Sequence, residues 1–292
     1  MTKWYTFFDR SFERIFSDAN QKWIERATLW LSILGFIIHL ILIYSKRFGV
    51  FETTFETRLL EDPISAIYTP FSIILVYEIY LLIMYLPRSF TTAISKQFEI
   101  ISLILIRRIF GDFPKIDLDV NWFENSANTQ LIYDLVGVLL LYFLIYLFNR
   151  VRKKIPIKPL SERIQRFVSS KRAVSLVLLP VMIFTSFYSV FYWFYGLFLE
   201  NQGAPLLLDI NRVFYNEFFT ILILANVLIL LLSFQYTERY SQLVRNTGFV
   251  ICTILIMLSF STYGLTNVLL ITSSVLFGLL ILMIYNAIEK ED

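Results

Sequence analysis

The chain has 292 residues, of which 57% are hydrophobic and 17% charged, against roughly 45–50% and about 25% in an ordinary soluble domain. Several apolar runs each approach the ~20 residues needed to cross ~30 Å of hydrocarbon, which excludes a soluble enzyme and a disordered chain. A single cysteine, Cys252, excludes an internal disulfide framework and a thiolate metal cluster, and a single histidine, His39, excludes any site built on two imidazoles. What remains is an all-α polytopic membrane protein with no sizeable soluble domain and no implied cofactor or metal.

In residues 1–26, Trp4, Phe8, Phe12 and Phe16 recur at every fourth position. This spacing predicts an amphipathic helix, lying on the inner leaflet or packed against the protein's own cytoplasmic loops. With both charges mixed among these aromatics, no cleavable signal peptide is expected here. Eight apolar segments follow: Ala27 to Tyr44, Ile64 to Leu86, Ala93 to Phe110, Leu131 to Phe148, Ala173 to Phe198, Phe218 to Phe234, Gly248 to Tyr263 and Leu265 to Tyr285. The third carries Lys96, Glu99, Arg107 and Arg108; if it only dips into the bilayer, the count falls to seven.

Basic loops stay on the cytoplasmic side. Residues 149–172 hold Arg150, Arg152, Lys153, Lys154, Lys158, Arg163, Arg166, Lys171 and Arg172 against Glu162 alone, so this connection is expected inside. With eight crossings both termini are cytoplasmic, and the opposite loops carry eleven acids against five bases. The apolar residues Ile157, Leu160, Ile164, Phe167 and Val168 within the basic connection suggest a short amphipathic helix on an anionic membrane surface, or a site for a cytoplasmic partner. No aromatic-plus-basic motif argues for nucleic acid.

The connection divides the chain into a four-helix unit with buried charges at 27–148 and an apolar four-helix unit at 173–285, followed by an acidic tail at 286–292. In the second unit, Pro180 predicts a kink, and Tyr188, Tyr192, Trp193 and Tyr195 fit an interfacial aromatic belt. Its polar residues Asn226, Thr253, Ser259, Thr272, Ser273 and Ser274 fit helix-to-helix hydrogen bonds.

Ionisable groups inside hydrocarbon are costly and mark functional sites by default. Six fall in the second to fourth segments: Glu78, Glu99 and Asp134 against Lys96, Arg107 and Arg108. At ~1.5 Å rise per residue, Glu78, Lys96 and Glu99 lie roughly 12, 5 and 9 Å from the cytoplasmic ends of their helices, which predicts one layer containing all three. Arg107 and Asp134 are expected to form a second layer, with Arg108 snorkelling to the outer headgroups. Lys96, Glu99, Leu103 and Arg107 fall within an arc of about 80° on the third segment. Ile94, Phe98, Ile101 and Leu105 form the opposite face, toward lipid or packed helices. His39, in the first segment, would extend such a path.

The stretch 27–148 is loosely similar to a voltage-sensing four-helix unit, in which a basic helix runs past acidic countercharges. Lys96, Arg107 and Arg108 break the every-third-position spacing of such sensors, however, and the basic helix here is third rather than fourth, so that family is not assigned. Histidine-rich, H-E-x-x-H, G-x-S-x-G, P-loop and Rossmann patterns are all missing, and Asp134 is the one aspartate within a span, so no enzyme is expected. The expectation is a channel or transporter-like protein of a plasma or bacterial inner membrane, conducting or coupled to protons or small cations along Glu78, Lys96, Glu99, Arg107, Asp134 and His39. The alternative is a non-conducting scaffold, or a subunit of a homo-oligomer, that binds a cytoplasmic partner through Arg150, Arg152, Lys153, Lys154, Lys171 and Arg172.

Overall fold

The computed structural model describes residues 2–49, 63–112, 125–153, 162–199, 205–236, 239–262 and 264–291, and every regular element among them is helical. Helix α1 spans Thr2–Ile15, α2 Asp18–Arg47, α3 Tyr68–Tyr85 after a 3-10 turn Pro63–Ile67, α4 Phe90–Asp112 and α5 Ser126–Arg152. Helix α6 spans Glu162–Leu199, α7 Pro205–Phe234, α8 Tyr240–Phe260 and α9 Gly264–Glu291.

Among the described residues, six stretches are long and apolar enough to cross a membrane: Phe7–Arg47, Pro63–Tyr85, Asn128–Arg152, Ile164–Thr185, Tyr240–Phe260 and Gly264–Glu291. This composition is that of an integral, multi-pass membrane protein. The other two expected segments differ for separate reasons. Every membrane-length window of α4 contains Lys96, Glu99 and Arg107, and the described apolar part of α7, Phe218–Phe234, is shorter.

The helices run past the apolar limits because polar residues continue them beyond the hydrocarbon. Ser17 caps α2 by accepting from the Asn20 backbone N–H at 3.2 Å, which starts that helix nine residues before Ala27. Helix α5 continues to Arg152, and α6 starts at Glu162 and runs through Pro180 to Leu199. Ile164, Phe167 and Val168 therefore belong to the long helix α6 rather than to a separate surface helix. Lys154, Ile157, Lys158 and Leu160 lie outside the described residues, as do the side chains of Trp4, Arg163, Tyr188, Tyr192, Trp193 and Tyr195.

Side-chain contacts sort the helix ends. Lys171 reaches the Arg88 carbonyl, Arg239 meets Glu289, and Asn286 reaches the Val151 carbonyl, so the α3–α4 turn, the ends of α5 and α9 and the starts of α6 and α8 share one end. This is termed the near end. The end of α4, the start of α5 and the α8–α9 turn meet at the far end.

Helix α4 lies against α3, α5 and α8, and α5 lies along α9. Contacts thus cross the expected boundary at 149–172, and the two four-helix units share one core. Ile94, Phe98, Ile101 and Leu105 are buried among neighbouring helices rather than facing lipid. Phe98 meets Phe148 edge-on at 5.3 Å, and Phe148 meets Phe249 at 6.1 Å. Helix α2 sits at the edge against α3, leaving Trp30, Ile33, Leu34, Ile37 and Ile41 exposed.

Close approach of α5 and α9 depends on Gly137, where an added Cβ would lie 2.7 Å from a methyl of Val268. Gly137→Leu is therefore expected to force the two helices apart and to destabilise the protein by about 1–3 kcal/mol, read as a lower thermal midpoint in detergent.

Candidate functional site: a charged hub on α4

The charged side chains of α4 pair with two neighbouring helices and with each other. On one face, Arg107 forms an ion pair with Glu78 of α3 and donates a second hydrogen bond to the Phe71 carbonyl at 2.9 Å. On another, Arg108 forms a two-pronged pair with Asp134 of α5, its Nε lying 2.8 Å from Oδ2. Toward the near end, Lys96 pairs with Glu99 one turn along the same helix at 2.6 Å. Glu78 is 3% exposed and Asp134 fully buried, whereas the Lys96 and Glu99 side chains keep about a third of their surface.

These pairings correct the expected layers. Arg107 rather than Lys96 is the partner of Glu78, and Arg108 rather than Arg107 is the partner of Asp134. Side-chain direction explains both, because every Cα–Cβ bond leans toward the N-terminus of its helix. In the antiparallel hairpin, Glu78 leans toward the far end and Arg107 toward the near end. Their long side chains converge from different backbone heights along the two helices. Lys96 leans toward the near end, away from Glu78. Asp134 leans toward the far end and Arg108 toward the near end, so they meet, and Arg108 does not snorkel outward.

The Asp134 pair closes into a ring. Gln130, one turn earlier on α5, donates to Asp134 at 2.8 Å and accepts from the Gly264 backbone N–H at 2.7 Å. Gly264 opens α9 at a φ of 66°, in the left-handed region that glycine tolerates. One turn into α9, the side-chain Oδ1 of Asn267 accepts from Arg108 at 2.7 Å, while its Nδ2 donates to the Ser259 backbone carbonyl of α8. Four helices, α4, α5, α8 and α9, are bolted together by this circuit. Gln130 and Asn267 were not expected from the sequence. An amide four residues before Asp134 is the local signal that could have found the first. Asn267→Leu leaves the Ser259 carbonyl and one guanidinium arm without these bonds, and is expected to cost about 1–3 kcal/mol in a thermal melt.

At the near end, Asn149 of α5 accepts from Ser95 at 2.7 Å and donates to Glu99 at 3.2 Å. Between the layers, Gln97 accepts from Thr253 of α8 at 2.9 Å. His39 hydrogen-bonds Thr69 at the start of α3 through Nδ1 at 2.6 Å and so joins α2 to α3.

Among the expected surface bases, Arg150 and Lys153 are exposed and Arg152 partly so, whereas Lys154 lies outside the described residues. Lys171 and Arg172 turn inward instead, because the helix α6 that carries them packs against α1 and α3. Lys171 is 3% exposed; its ammonium donates to the Arg88 carbonyl at 3.0 Å and lies over the rings of Phe90 and Phe167 at 4.2 and 4.7 Å. Arg172 bridges Asp9 and Glu13 of α1 at 3.0 and 3.2 Å. Among the described residues no group of three or more His, Cys, Asp or Glu side chains is placed to hold a metal ion.

No family model matches the chain, and no curated protein or solved structure matches it either.

Proposed function

We propose that the protein is a channel or transporter-like membrane protein in which α2 to α9 each cross the bilayer and α4 carries protons or small cations. The observation that carries this reading is the placement of three acid–base pairs in succession along α4, two of them with carboxylates withdrawn from solvent. Charges inside hydrocarbon are expensive, and a helix that needed only to span would not carry four of them. Glu99 and Lys96 form the near-end mouth, Glu78 and Arg107 the interior step, and Asp134 with Arg108 the far-end step. Alternation of helix ends between the near and far contacts supports eight crossings. The excess of bases at the near end supports cytoplasmic termini in a plasma or bacterial inner membrane.

The test is proton and cation flux into liposomes containing the purified protein, under an imposed potential and over a range of pH. Uptake by the unaltered protein that is lost in Glu78→Gln/Arg107→Met protein of matching thermal midpoint is the expected result.

A second reading is favoured by the closed ring around Asp134. That ring ties α4, α5, α8 and α9 to one another through side-chain hydrogen bonds, as in a non-conducting scaffold whose ion pairs select helix partners and whose exposed Arg150 and Lys153 meet a cytoplasmic protein or a second copy. Absence of flux under every condition moves the assignment to this reading.

A further inference from the structure

Helix α1 sorts its charges by face. At ~100° per residue, Asp9, Phe12, Glu13 and Phe16 fall on one side of the helical direction, and Phe7, Arg10 and Arg14 fall on the other. The first side is docked. Asp9 and Glu13 hold Arg172 of α6, Ser169 donates to Asp9 at 2.8 Å, and the Arg172 guanidinium lies 5.5 Å from the ring of Phe12. Phe16 stacks on Tyr80 of α3 at 5.2 Å, and the Tyr80 hydroxyl donates to the Ile15 carbonyl at 3.4 Å. The second side is open: Phe7 is 62% exposed, and Arg10 and Arg14 are exposed.

The exposed basic face continues into the first turns of α2, where Lys22 and Arg26 are exposed beside Trp23, which is 70% exposed. Two of the acids in this region, Asp9 and Glu13, are engaged by the bundle. Asp18 and Glu25 are exposed, Asp18 in the first turn of α2, where the helix dipole accommodates it. The bases Arg10, Arg14, Lys22 and Arg26 all remain outward, next to large aromatic side chains. A basic face interleaved with aromatics, at the end of an apolar helix bundle, has the chemistry of an anionic bilayer surface: guanidinium and ammonium groups for phosphates, and Phe7 and Trp23 for the acyl boundary.

We propose that the outer face of α1, with the first turns of α2, is a binding surface for anionic phospholipid headgroups, held in place by the Arg172 clasp. Docking by one face and lipid contact by the other make α1 a strut between the membrane surface and the starts of α2 and α6. This holds whether or not the bundle conducts.

The test uses the full chain in nanodiscs, with a Cys252→Ser background and an environment-sensitive fluorophore on Phe7→Cys. Quenching by headgroup-labelled lipid is compared in phosphatidylcholine discs and in discs that also contain phosphatidylglycerol. Quenching is expected to rise with the anionic lipid. It is expected to fall in about 1 M salt, where the Debye length drops to ~3 Å, and to weaken in Arg10→Gln/Arg14→Gln protein, each base contributing about fivefold. Lipid composition and salt act on unchanged arginines, so those arms stand even if the double variant folds poorly. Equal quenching in neutral and anionic discs, insensitive to salt, would overturn the proposal and leave the basic face to an acidic protein partner. Loss of ion flux with lipid binding intact would overturn only the conduction reading.

Discussion

Asp134→Ala is expected to be among the most damaging single substitutions in the bundle, lowering stability by about 3–5 kcal/mol. The carboxylate is fully buried and receives two arms of Arg108 together with the Gln130 amide. Its removal leaves the Arg108 guanidinium, whose side chain is 28% exposed, with only the Asn267 Oδ1 of that ring, so the penalty is that of a charge that has lost its buried counter-ion rather than of one lost hydrogen bond. Magnitudes separate this site from the Lys96–Glu99 pair, which is one turn apart on the same helix and a third exposed. Such pairs contribute about 0.2–0.5 kcal/mol, so Lys96→Ala is expected to leave the melting curve nearly unchanged. Thermal unfolding of the two variants in one detergent checks the contrast. Asp134→Asn is expected to fall between them, since the amide keeps one acceptor while losing the charge.

Glu78→Gln is expected to separate stability from transport once it is combined with its true partner. The single change strands Arg107 and costs roughly 3–5 kcal/mol, so a loss of flux in that protein alone does not distinguish conduction from misfolding. Glu78→Gln with Arg107→Met removes both charges, and replacement of a buried ion pair by uncharged groups of similar size is often neutral or stabilising. The double variant is therefore expected to recover most of the lost stability while remaining without flux. A matched double change of Glu78 and Lys96 is expected to give no such recovery, because Lys96 is bonded to Glu99 and the Arg107 charge still loses the Glu78 carboxylate.

The fold class was readable because long apolar runs need no tertiary information. Seven of the expected segments fall within the helices α2 and α4 to α9 apart from limits such as Tyr263, and the second begins in the 3-10 turn before α3. Helix ends were less readable, since capping by Ser17 and the continuation of α5 and α6 depend on polar residues that no hydropathy pattern marks. The charged residues themselves stood out in the sequence, but their pairing did not. Comparing depths along the helix axis places a charge at the height of its Cα, whereas Arg107 and Glu78 reach toward each other along opposite helix directions. That convergence follows from antiparallel geometry and could have been applied to the short α3–α4 turn. The Arg172 clasp had no such local signal, because Asp9 lies 163 residues away in sequence. Lys171 likewise resembled the other bases of its loop until the α6 helix placed it beneath Phe90.

The central claim is that the pairs on α4 form a pathway, and the most direct measurement is potential-driven proton uptake by liposomes containing either the unaltered protein or Glu78→Gln/Arg107→Met. The account predicts uptake with the unaltered protein and none with the double variant, at matching thermal midpoints. Equal uptake in both, or none with the unaltered protein at any pH or potential, would contradict it.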